Sequence, residues 1–182
     1  MFTSLLKTGQ APFTNHKARV MNRCGSTALA VGDVVAFDTD ASQTETQNLK
    51  GVNGATLASL TEAMFANVIE VGAAPKNGLI GVVTNLLDGD GEDNTAVEVQ
   101  FSGRVLAKVG GTNWSSAYAS CGVAVMTDTT GANRRLIAAT DGTNSKTGII
   151  IEAIDEDLSS SNKQQTEVLL MGIGNLVGTV GA

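Results

Sequence analysis

Val97-Glu98-Val99-Gln100-Phe101 and, four residues on, Val105-Leu106-Ala107-Lys108-Val109 carry apolar residues at every second position. A period of two places alternate side chains on opposite faces of an extended chain, so both runs read as strands with one face buried. Moving outward, Val34-Val35-Ala36-Phe37, Val68-Ile69-Glu70-Val71, Ile80-Gly81-Val82-Val83, Val123-Ala124-Val125-Met126, Ile149-Ile150-Ile151 and Glu167-Val168-Leu169-Leu170 repeat the theme. Glycine, asparagine and aspartate clusters separate them, at Asp88-Gly89-Asp90-Gly91, Gly110-Gly111-Thr112-Asn113, Thr130-Gly131-Ala132-Asn133 and Asp141-Gly142-Thr143-Asn144. Short β-branched runs between turn signals predict a mainly β fold, a compact barrel or sandwich.

The runs are not independent. Gly32-Asp33-Val34-Val35-Ala36-Phe37-Asp38-Thr39 aligns with Gly122-Val123-Ala124-Val125-Met126-Thr127-Asp128-Thr129 at an offset of 90. Gly81-Val82-Val83 aligns with Gly148-Ile149-Ile150 at an offset of 67, and Glu98-Val99 with Glu167-Val168 at 69. The three blocks keep their order, which predicts two similar halves, about 30–110 and 120–182, in one β domain spanning 18–182. The first half has room for an insertion near 40–65. There Leu57, Leu60 and Met64 share a helical face and Ser59-Leu60-Thr61-Glu62 fits a capping box, predicting a short helix near 57–65. Residues 1–17 differ from the rest. They carry Phe2, Leu5, Leu6 and Phe13 with no strand or helix period, and read as an extended N-terminal arm whose apolar side chains find a partner on a neighbouring subunit or another surface.

Composition narrows the chemistry. The 182 residues are 42% apolar but only 16% charged, with a net charge of −6. The balance is too acidic, and the basic residues too scattered, for direct nucleic-acid binding. Apolar stretches fall short of a membrane span, and the N-terminus has no basic region followed by a long apolar one. Cys24 and Cys121 stand far apart in no metal-ligand spacing, and read as reduced thiols. His16 is the single histidine and reads as an exposed loop residue. The acidic stretch Asp88–Asn94 puts Asp93 and Val99 where a calcium loop needs Gly and Glu, so it reads as a solvated turn. Glu152, Asp155, Glu156 and Asp157 read as a strand end running into a loop. Gly172-Ile173-Gly174 lacks the third glycine of a dinucleotide loop. No catalytic set, metal or cofactor is expected. Trp114 and Tyr118, the only Trp and Tyr, fit either an interface contact or a turn anchored on the core.

Ala30-Val31-Gly32-Asp33-Val34-Val35-Ala36-Phe37-Asp38, Gly81-Val82-Val83, Val97–Val105 and the closing Glu167-Val168-Leu169-Leu170-Met171 together resemble the capsid decoration, or cement, proteins of tailed phages. The resemblance covers roughly 30–172. It implies a small β-rich structural protein of the virion, not an enzyme, seated on the outer capsid surface. It further implies a homotrimer bound to the major capsid protein, stiffening the shell against the pressure of packaged DNA. The insertion near 40–65 departs from the shortest members. Two other classes fit a β-rich, Gly/Thr-rich chain. A head-fibre or receptor-binding protein should show a stalk with heptads, and none is visible. A major shell component should carry a long helix, and the sequence offers none.

Overall fold

The computed structural model describes residues 15–25, 28–38, 67–71, 79–111, 121–128, 133–139, 148–152 and 164–171. The helix expected at 57–65 lies outside them, as do Phe2, Leu5, Leu6, Phe13, Trp114 and Tyr118. The described residues form nine strands and no α-helix: β1 (His16–Asn22), β2 (Val34–Phe37), β3 (Asn67–Ile69), β4 (Ile80–Leu86), β5 (Ala96–Val109), β6 (Ala124–Thr127), β7 (Leu136–Ala138), β8 (Gly148–Ile150) and β9 (Gln164–Met171). The mainly β expectation holds. The strand order is β1-β3-β2-β4-β5-β7-β6-β8-β9, with further pairings β1–β5 and β5–β9. These two pairings close the sheet twice. β1, β3, β2, β4 and the first half of β5 make one ring of five strands; the second half of β5, β7, β6, β8 and β9 make another. The two runs that opened the sequence reading are thus one 14-residue strand, shared by both barrels.

The rings are copies of one another, strand for strand. In each, the first strand runs parallel to the third, and every other neighbouring pair is antiparallel. The registers coincide too. Val34↔Val82 and Val35↔Gly81 become Ala124↔Ile149 and Val125↔Gly148 at the offsets read from the sequence. Val83↔Val99 becomes Ile150↔Val168. Two equivalences go beyond the three blocks. β1 maps onto the second half of β5, so that Ala18↔Val99 becomes Val105↔Val168. β3 maps onto β7, so that Phe37↔Val68 becomes Thr127↔Leu136. The boundary between the halves therefore lies inside β5, near Gly103, and not at 110–120. The insertion of the first half falls in the connection from β2 to β3, where 38–66 stand against 128–135 in the second.

His16 corrects two sequence readings. It begins β1, so the body starts inside the segment assigned to the arm (1–17), and the residue is exposed on a strand, not in a loop.

Two apolar clusters follow from the double closure. Val20, Cys24, Leu29, Val35, Phe37, Val68, Leu79, Val83, Val97 and Val99 fill the first barrel. The second cluster joins the interior of the other barrel (Val105, Ala107, Val109, Val125, Leu136, Ile150, Val168, Leu170) to Val34, Ala36, Ile80 and Val82 from the opposite faces of β2 and β4. All four residues of β2 are buried because one face looks into its own barrel and the other packs on the neighbour. That is why the run Val-Val-Ala-Phe is continuously apolar. Gly81 and its counterpart Gly148 allow close approaches at matching places in the two barrels. A Cβ would stand 2.3 Å from Val99 Cγ1 at the first and 2.5 Å from the Leu169 carbonyl oxygen at the second.

Candidate functional site

The charged residues gather at the seam between the barrels. Asp33, in the turn before β2, belongs to the first barrel and is nearly buried. Its Oδ1 accepts from Lys108 Nζ on the second half of β5. Its Oδ2 accepts from the amide of Ala30 at 2.9 Å and lies 3.7 Å from Arg134 Nη1. Arg134 precedes β7 in the second barrel with φ of +46°, and its side chain is 3% exposed. It reaches back across the seam, donating to the Ala28 carbonyl at 2.9 Å and to Glu70 Oε1 at 2.8 Å. Its own carbonyl accepts from the Val34 amide at 3.0 Å. A buried guanidinium of the second barrel held by fixed acceptors of the first is a clamp: charges taken out of water must be paired, and here the pairing crosses from one barrel to the other.

Next to it, Arg135 turns the other way. Its Nε donates to Asp128 Oδ2 at 2.8 Å, which also accepts from Asn133 Nδ2 at 2.9 Å. This cluster stays inside the second barrel. Asp128 is the counterpart of Asp38, and Arg135 of Asn67, so the duplicated position holds an ion pair in one half and an amide in the other. In the sequence Arg134 and Arg135 are simply two adjacent basic residues. Their partners lie as far as 106 residues away, and no local spacing announces them.

A second polar contact sits where β1 meets the middle of β5. His16 Nδ1 lies 2.6 Å from Ser102 Oγ, and the ring stacks on Phe101 at 5.8 Å between centroids. A serine beside a histidine is the beginning of a nucleophilic pair, but that chemistry also needs a group to orient the ring and donors for an oxyanion. What the described contacts show is a ring held between Ser102 and Phe101. The contact fastens the start of β1 to β5. The acidic stretch Asp88–Asn94 forms the turn from β4 to β5 and stands mostly exposed. No group of three or more His, Cys, Asp or Glu side chains suited to a metal ion occurs among the described residues.

Cys24 is buried and Cys121 exposed, and neither is in a disulfide. Burial pushes the Cys24 thiol up to about 12, against an opposing pull from Arg134. A thiol so shielded is no nucleophile at neutral pH. On the outer faces each barrel carries one equivalent ion pair: Lys17 with Glu98 at 2.8 Å, and Arg104 with Glu167. Both glutamates are held below the ordinary carboxylate range, Glu98 by hydrogen bonds from Lys17 and then Thr84, Glu167 by its bond to Arg104. No described helix is long and apolar enough to cross a membrane. No protein-family profile matches the chain, and no curated protein is similar to it. Among the described residues the molecule is a double barrel in which Arg134 joins one barrel to the other and His16 meets Ser102 where β1 crosses β5.

Proposed function

We propose that this protein is a structural component of a phage virion, a decoration protein that binds the outer surface of the capsid and stabilises the shell. The observation that carries the reading is where the resembling motifs fall. Gly32–Asp38, Gly81–Val83, Val97–Val105 and Glu167–Met171 lie on β2, β4, β5 and β9, the strands that build both barrels and their shared spar. Physical arguments support it. A body that adds strength to a shell works by shape and area, and needs a rigid core with few charges to strip of water. The buried clamp at Arg134 makes the two barrels one solid, and the low charge of the chain lowers the desolvation cost of a broad contact. In this reading the partners are the major capsid protein and other copies of the chain in a trimer. The apolar side chains Phe2, Leu5, Leu6 and Phe13 supply anchors to the shell or a neighbouring subunit, and neither turnover nor a cofactor enters.

The test is co-sedimentation of the purified chain with undecorated capsids, followed by cryo-EM of the particles. Ordered density on the outer surface at symmetry-related positions, and greater resistance of the heads to heat, are the expected results. Deletion of residues 2–14 should leave the melting temperature nearly unchanged while particle binding is lost. A chain that stays in the supernatant at every concentration overturns the reading.

A further inference from the structure

Each contact at the seam has counterpart positions in the duplicate. In the first barrel, the turn before β2 and the outer face of β2 and β4 dock on the second barrel. Gly32 is buried there, Asp33 is 3% exposed, and Val34 and Val82 are fully buried. The Gly32 carbonyl accepts from the Lys108 amide at 2.8 Å. Gln165 Nε2 donates to the Val31 carbonyl at 2.8 Å. The Gln165 side chain also lies against Gly32, where a Cβ would come within 2.6 Å of Nε2.

The second barrel builds the same turn and the same face. Gly122 takes φ of +86° where Gly32 takes +92°. Its amide donates to the Ile150 carbonyl as that of Gly32 does to Val83, and the Ile150 amide donates to Val123 as that of Val83 does to Asp33. Yet Gly122 is exposed, and Val123, Ala124 and Ile149 are half-buried. A Cβ at Gly122 would meet nothing within 4 Å. Ala124 and Ile149 lie opposite each other and alternate with Val125 and Ile150, which fill the barrel. Strands that are apolar on both faces are those covered on both faces.

The receiving surface has its counterpart too. Lys108 and Gln165, opposite each other on β5 and β9, correspond to Met21 and Ala96, opposite each other on β1 and β5. Both are half-buried. The charged pair Asp33–Lys108 thus corresponds to Val123 and Met21, so charge is absent from both sides together and the two surfaces stay matched. Met21 also pairs with Asn67, whereas Lys108 and Arg135, their counterparts, are not paired. A turn docking beside Met21 therefore lies on the strands and not between them.

We propose that the chain associates with itself head to tail, the Gly122–Ala124 turn and Ile149 of one copy seated on Met21 and Ala96 of the next. A second copy is the occupant because the chain carries the matching surface itself. A contact between two different surfaces closes into a ring or runs on as a filament. The proposal deepens the self-association named above. It does not rest on shell binding, because it concerns the purified chain without capsids, so each idea can fail without the other.

The full-length protein is tested by light scattering after gel filtration, where the mass should rise above that of one chain as concentration increases. Val123→Asp gives this turn the residue that Asp33 holds in the first barrel, but with no lysine across the contact. It should weaken association by roughly ten-fold or more, since a charge buried without its partner is penalised. Met21→Lys, the residue type of Lys108, should weaken association alone and restore it when combined with Val123→Asp. A circular dichroism spectrum matching the parent shows that each variant is folded. A chain that is monomeric at every concentration, unchanged association of Val123→Asp, or failure of the combined variant to recover overturns the proposal. Ala96→Cys supplies an independent measure, because Cys121 is the counterpart of Val31, whose carbonyl meets Gln165. Mild oxidation should link position 96 of one copy to Cys121 of another, as read by peptide mass. Links between two Cys121 side chains alone mean that like faces meet, and overturn the head-to-tail order.

Discussion

The first barrel and the second have the same strand order, the same registers and one shared strand, yet they spend their polar residues differently. The first keeps a charged outer ribbon at Arg19 and Glu98, and sends Asp33 and Glu70 into the seam. The second keeps Leu106 and Met171 outside, and sends Arg134 and Lys108 to meet those carboxylates. Architecture alone is indifferent to these choices, since both versions close. The difference teaches that backbone pairing sets the shape of this molecule, while a few substitutions between copies decide which outer positions carry charge and where the barrels lock.

The seam should yield the largest effect. Asp33 has no acidic counterpart in the second barrel, where Val123 takes its place. Asp33→Ala leaves Lys108 and the buried Arg134 short of a carboxylate, and breaking one partner of a buried pair costs about 3–5 kcal/mol. Differential scanning calorimetry should show a lowered and broadened transition, as the barrels lose their clamp. Asp128→Ala removes a buried partner of comparable kind that serves one barrel only, and should lower the melting temperature without broadening the transition. If the two variants melt alike, the clamp does not couple the barrels.

Next come the matched glycines. Gly148→Ala pushes a methyl group against the Leu169 carbonyl, which is backbone. Gly81→Ala meets the Val99 side chain first, with the Gln100 carbonyl oxygen at 3.0 Å. Overpacking costs about 1–3 kcal/mol, and urea titration should place Gly148→Ala at the upper end and Gly81→Ala below it. The reverse order would mean that the two barrels are packed less alike than their registers.

Cys24 sharpens the comparison by chemistry. It lies inside the first barrel with its thiol raised to about 12, while its fellow thiol Cys121 is exposed on the second. Iodoacetamide at pH 8 should label Cys121 alone in the native protein and both residues in urea, read by peptide mass. Because the folded pKa lies above the unfolded one, the protonated thiol favours the folded state. That contribution is whole below pH ~9 and is lost as pH rises toward 12. Cys24→Ala should flatten the alkaline fall in stability.

The smallest effects belong to the two outer ion pairs. Glu98→Gln and Glu167→Gln should each shift the melting temperature little, since exposed pairs contribute little and are screened by salt. Both glutamates are held below their ordinary range, so what they add is present above pH ~4.5 and lost as pH falls. Equal small effects would mark the pairs as equivalent.

Much of this was legible in the chain. The glycine-headed blocks at 32, 81, 122 and 148 announced β2, β4, β6 and β8, because glycine marks a tight approach and the residues after it alternate or run apolar. The offsets of that alignment are the ones at which the registers of the two barrels repeat. What stayed hidden is instructive. β1 and its equivalent share no identical residue, only a basic side chain at Lys17 and Arg104 and apolar ones at Ala18/Val105 and Val20/Ala107, because a ribbon with one outward face constrains half its positions. β3 and β7 are three residues each, too short to carry a period. For that reason the boundary of the repeat was placed after β5 and not within it. The clamp at Arg134 could not be read either, since its partners Asp33 and Glu70 are neighbours in space alone. The apolar residues of the arm, Phe2, Leu5, Leu6 and Phe13, were visible as a set in the sequence and lie outside the described residues.

The sharing of β5 also has a mechanical meaning. A force that pulls one barrel from the other along this strand does not unzip hydrogen bonds one after another. It draws β5 lengthwise past β1 and β4 at one end and past β9 at the other, where eight residue pairs stand in line. Ladder bonds lie across the strands, so all of them resist such sliding together, in shear. The covalent chain itself bridges the two bodies, with no hinge or linker to stretch first. A pull along this axis is borne by one 14-residue strand common to both barrels, which makes the molecule a tie rod as well as a pair of containers.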